Sequence, residues 1–148
     1  MSIQNDILTE LQARIVAVSG IGLVVRNPKQ PPKPEDYPAV SIITQEVETQ
    51  NMTMTGNNRP VYTKSWSVWV VLYYVADGYD DDQAESEVWD FWDTVRAKIY
   101  DGGISLGGRC AAIAETGQGV PVKPYVGEPG IGLATEFEIQ FIDNTENL

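Results

Sequence analysis

Carboxylates are the side chains this sequence offers in quantity for chemistry. Asp and Glu number 21 against 10 Lys and Arg, and histidine is absent, so the commonest acid–base group is missing. Asp77, Asp80, Asp81 and Asp82 crowd one turn and suggest a calcium loop. An EF-hand pattern counted from Asp77 needs Asp or Asn third and Gly sixth, where this chain has Tyr79 and Asp82. Acids at a helix N-terminus, with Arg96 and Lys98 near its other end, account for the same residues through the helix dipole. Glu136 and Glu138 lie two apart on a strand and therefore share a face, as do Glu46 and Glu48. Such pairs resemble glycosidase carboxylates, but no neighbouring sequence suggests a sugar cleft, and a solvated sheet face is the expectation.

Other motifs fail on spacing. Gly20-Ile21-Gly22 follows a helix, and neither Gly107-Gly108 nor the glycines of 127–132 carry the Gly-Lys-Ser/Thr of a phosphate loop. Cys110 is the single cysteine, which excludes an intramolecular disulfide; without histidine it is expected as a buried small residue, and no metal or cofactor is expected. A reducing compartment fits. Asn51-Met52-Thr53 matches a glycosylation sequon by chance, since residues 1–15 read as neither a secretory signal nor a membrane segment. The net charge is −11, and the bases are scattered singly from Arg14 to Lys123, which argues against phosphate-backbone binding.

The elements that must position these residues follow from periodicity. Residues 3–19 place Ile3, Ile7, Leu8, Leu11, Ile15 and Val18 on one helical stripe, with Ser2 as N-cap and Gly20 as the left-handed C′ residue. A short strand at 21–27 leads into a proline-rich connector, 28–38, expected to be extended and free of helix. Residues 39–48 alternate as a strand and pair, across a long hairpin tip at 51–60, with a second strand at 61–76. Asp80 and Gln83 suit a capping box for a helix whose stripe is Ala84, Val88, Phe91, Trp92, Val95 and Ile99, ended by Gly102-Gly103. Strands are expected at 104–115 and 131–143, and 144–148 is a loose tail. The sum is one α+β domain spanning 1–148: a mostly antiparallel sheet of four to five strands with two amphipathic helices packed on one face.

Two features point outward. On the second strand Trp66, Val68, Val70, Leu72 and Tyr74 share one face; Trp69, Val71, Tyr73 and Val75 make the other face apolar over its distal half. Such a strand is central and covered on both sides, or covered by a neighbouring subunit. The tip carries the flexible apolar Met52 and Met54 beside Asn57, Asn58 and Arg59. The expected assembly interface is therefore Met52, Met54, Asn57, Asn58, Arg59, Trp69, Val71 and Tyr73.

In order, NPKQPPKPEDYPAVSI, RPVYTKSWSVWVVLYYV, EVWDFWDTVRAKIY and GIGLATEFEIQFI after an amphipathic first helix resemble the tail terminator proteins of long-tailed bacteriophages, the group of the minor tail protein U. The resemblance covers most of the chain and rests on order and hydrophobic character. It implies a structural virion protein with no enzymatic role, assembled in the host cytoplasm. It would form a homo-oligomeric ring, a hexamer in the family, on the head-proximal end of the tail. Its partners would be the tail tube protein and the head connector or neck protein. DNA would pass the acidic lumen without specific binding, and no membrane would be involved. A neck or head-completion protein shares this logic; a monomeric binding module or a small Asp/Glu hydrolase are the readings from other classes.

Overall fold

The computed structural model describes residues 2–54, 60–75, 81–124 and 130–144. Asp77 and the Asp80 cap, the hairpin residues Asn57, Asn58 and Arg59, and 145–148 of the expected tail lie outside the described residues, while Asn144, expected in that tail, ends a strand.

Helix α1, Ile3–Val16, begins where the Ser2 hydroxyl accepts the Asn5 amide at 3.1 Å, and it buries Ile7, Leu8, Leu11 and Ile15. It closes at Ala17, earlier than the expected 19, and Val18 is buried in the turn that follows. Gly20 does take positive φ, +92°, but three residues past the cap. The chain then runs through β1 (Leu23–Arg26), β2 (Ala39–Met54), β3 (Pro60–Tyr74), α2 (Asp81–Ile99), β4 (Ala112–Gln118) and β5 (Ile131–Asn144).

The five strands form one sheet in the order β1-β2-β3-β5-β4, antiparallel except for β1 against β2. That parallel pair needs a crossover of about a dozen residues, which the proline-rich connector supplies. The connector is not wholly extended: Pro34–Asp36 makes a 3₁₀ turn, because proline at the first helical position gives up no amide that the turn requires. It returns close to Gly22, whose amide donates to the Pro38 carbonyl at 2.7 Å.

Paired residues share a face, and the register gives the sheet two unlike faces. Val40, Leu72 and Leu133 align on one side, as do Ile42, Val70 and Thr135, and both helices pack here. Helix α2 contributes Val88, Trp92, Val95 and Ile99, all at most 1% exposed, with Trp92 against Phe137 at 6.0 Å between ring centres. Arg14 joins the two helices, donating to the carbonyls of Ile99 and Asp101 at the C-terminal end of α2.

Two boundaries differ from expectation. The β2–β3 ladder continues to Met54↔Pro60, so residues 51–54 and 60 of the expected tip are paired strand, with a bulge after Thr49. Residues 104–111, expected as strand, form turns instead. Leu106, Gly107 and Gly108 all take positive φ, Cys110 donates its amide to Ser105, and Leu106 is fully buried from within the turn. Apolar alternation there reports turn-borne burial, and pairing starts only at Ala112.

Candidate assembly surfaces

The second face of the sheet carries no helix. Its lower half gathers Glu46 and Glu48 from β2, Ser65 and Ser67 from β3, Glu136 and Glu138 from β5 and Thr116 from β4 around a shallow groove of about 260 Å³. Ser65 donates to Glu138 at 2.8 Å, and Ser67 and Thr116 donate to the two oxygens of Glu136 at 3.1 and 2.8 Å. The two glutamate pairs, distant in sequence, thus become one acidic field whose only described internal donors are hydroxyls and the Gln140 amide. Among the described residues no group of three metal-capable side chains lies close enough to hold an ion. The groove can accept hydrogen bonds and attract cations.

The upper half of this face is apolar. Ile43, Trp69, Val71 and Ala134 are half-buried with no helix above them. β3 is therefore central in the sheet yet layered by helices on one side only. Of the three β3 residues expected at an interface, Trp69 and Val71 present surface. Tyr73 does not: its ring stacks on Tyr37 at 5.7 Å, leaving it 7% exposed. The fit requires Gly130, at φ +123°, since a Cβ there would strike the Tyr37 ring.

Below the helices' footprint β2, β3 and the end of β5 continue as a three-stranded arm, tied by an ion pair of 2.9 Å between Lys64 and Asp143. Met52 and Met54, singled out from sequence, are 59% and 52% exposed here, and Ile142 across the arm is 56% exposed. Sequence reasoning missed Ile142, which reads as one more apolar residue of a core strand.

The sheet edges beside the body of the domain are closed by other means. The Gln12 side chain donates to the Val24 carbonyl of β1 at 3.2 Å, and Asn27 accepts the Thr44 amide at 2.9 Å where β1 ends. On the opposite side Ile113 donates to the Ile104 carbonyl and Glu115 to the Tyr100 hydroxyl. Beyond these caps no described residue caps the arm's edges. Antiparallel alternation turns the backbones of Val47, Thr49, Met52 and Met54 away from β3, and turns Ile142 and Asn144 of β5 away on the other side.

Cys110 is 9% exposed, and burial pushes its thiol up to about 11, away from nucleophile chemistry. No protein-family model matches this sequence, and no curated protein matches it.

Proposed function

We propose that this is a structural assembly protein, a tail terminator. It would close into a ring on the head-proximal end of a phage tail tube, stop tube growth and present a surface to the head. The observation that carries this reading is the three-stranded arm, on which Met52, Met54 and Ile142 are each more than half exposed. Exposed apolar residues gathered on one projecting element suit contact with another protein chain, although Val16, Ile104, Val120 and Val122 are as exposed elsewhere on the domain. The helix-free apolar patch of Trp69 and Val71 offers a second contact area, and two areas on one chain are what a heterologous ring with axial partners requires. The order of motifs shared with tail terminators supports the same reading. So does the net charge of −11, which in a ring lets DNA pass without adhering.

Adding the purified protein to polymerising tail tubes tests this. Growth should stop, and the protein should be found at one end of each tube. Attachment to filled heads with no effect on tubes would instead make it a neck protein.

A further inference from the structure

We propose that copies join through the backbone of the arm: the free edge of β2, 47–54, pairs in parallel with the free edge of β5, at Ile142 and Asn144, of the next copy. This rests on the ring reading and specifies the contact that makes the ring.

An unpaired strand edge is a template for another strand, and proteins normally blunt it with lysine, proline, a bulge or a cover. This chain follows that rule around the body of its sheet, where Gln12, Asn27, Ile104 and Tyr100 occupy the outward groups. On the arm it uses fewer of these devices. The sequence 47–54, VETQNMTM, carries a bulge between Thr49 and Asn51 but no lysine or proline, and residues 48–54 are all exposed. Across the arm the last outward group of β5 with a partner among the described residues is the Gln140 carbonyl, which accepts the Ala111 amide at 2.8 Å; Ile142 follows it, 56% exposed.

The two free edges are complementary in direction as well as in kind. β3 runs antiparallel to both neighbours, so β2 and β5 run the same way, both ending at the arm's tip beside Pro60 and Val61. Copies related by rotation about an axis along the arm set β2 of one beside β5 of the next with strand directions matched. The contact uses different surfaces on the two partners, so it repeats until the circle closes. Strand addition of this kind draws its affinity from main-chain hydrogen bonds, which explains why an exposed polar stretch serves as well as an apolar one.

The test uses the full-length chain with Cys110→Ser and one cysteine on each edge: Ile142→Cys combined in turn with Val47→Cys, Thr49→Cys or Met52→Cys. Within one copy β2 and β5 are two strand spacings apart, roughly 10 Å, too far for a disulfide. Oxidation at high protein concentration should therefore give a covalent ladder up to a closed ring for at least one pair, while single-cysteine chains stop at dimers. No pair exceeding its single-cysteine controls at any concentration overturns the proposal. In a second arm, Met52→Pro removes only an outward amide, so the melting temperature should hold while assembly falls at least tenfold. A folded Met52→Pro protein that assembles like the wild type also overturns it. A ladder from the double-cysteine chains, together with a wild-type protein that never binds tube ends, would leave this contact standing and remove the terminator reading.

Discussion

The Tyr100 hydroxyl accepts the backbone amide of Glu115 at 3.1 Å, so a side chain from the end of α2 occupies the outer edge of β4. Arg96, one turn earlier, holds the Glu115 carboxylate at 2.6 Å and Asp93 at 2.9 Å. Helix and edge strand are thus fastened by a backbone cap and an ion pair at the same residue. Tyr100→Phe keeps the ring against Phe137 and removes the acceptor. It should cost about 1–2 kcal/mol by leaving an amide without its partner, a fall in Tm of about 2–4 °C for each kcal/mol. Thermal unfolding checks this, and an unchanged Tm would mean water replaces the phenol freely.

The same residue sets an alkaline limit. Burial raises the Tyr100 phenol above its ordinary value of 10.0, outweighing the Glu115 amide, which lowers it. The folded state therefore holds this proton more tightly than the unfolded state. Its contribution to stability is full below pH 10 and is lost as pH rises through the folded-state value. Urea unfolding between pH 9 and 12 should show a decline that is shallower in Tyr100→Phe.

Cys110 behaves in the same sense at lower pH, its stabilisation being lost as pH rises from about 9 toward 11. A thiol held near 11 has roughly 100-fold less thiolate at pH 8 than a cysteine at the ordinary value of 9.0. Labelling by a disulfide reagent at pH 8 should be slower by at least about that factor and recover fully in denaturant. Rapid native labelling would show that the turn at 105–110 opens.

Trp92 is 1% exposed, and its indole Nε1 has no hydrogen-bond partner. Trp92→Ala should cost about 3–5 kcal/mol in urea unfolding through the cavity it leaves. Trp92→Phe should cost clearly less, because no hydrogen bond is lost with the indole.

The acidic field makes a separate prediction. Glu46, Glu48, Glu136 and Glu138 face one groove without a described cation among its lining residues. Salt should raise the wild-type Tm by screening their repulsion, and the variant with all four changed to Gln should respond less. Equal salt responses would place the repulsion elsewhere on this acidic chain.

Where local periodicity decides structure, the sequence was legible. Ser2 before the Ile7–Leu11–Ile15 stripe, and Trp66, Val68, Val70 and Leu72 alternating on β3, required only nearest neighbours, and both were observed. The sheet's class and its one-sided helices followed from them. Residues 104–111 misled because Leu106 reaches the core from a left-handed turn, which imitates a strand residue in composition. Nothing local distinguishes a parallel from an antiparallel neighbour for β1. Bringing four glutamates together depends on β2, β3 and β5 lying side by side, a long-range fact. The edge caps were invisible for a similar reason: Gln12 and Tyr100 act on backbone groups 12 and 15 residues away. Met52 and Met54 were singled out from sequence because flexible apolar side chains beside a turn are unusual, and they are exposed; Ile142 sits at the end of a regular strand and gives no such signal.

Electron microscopy of tails assembled with and without this chain tests the proposal that it ends a tail tube. With the protein, tails should share one length and carry a ring of density at the head-proximal end; without it, tubes should overgrow to unequal lengths. Uniform tails in its absence, or tails bearing no added density in its presence, would contradict the account.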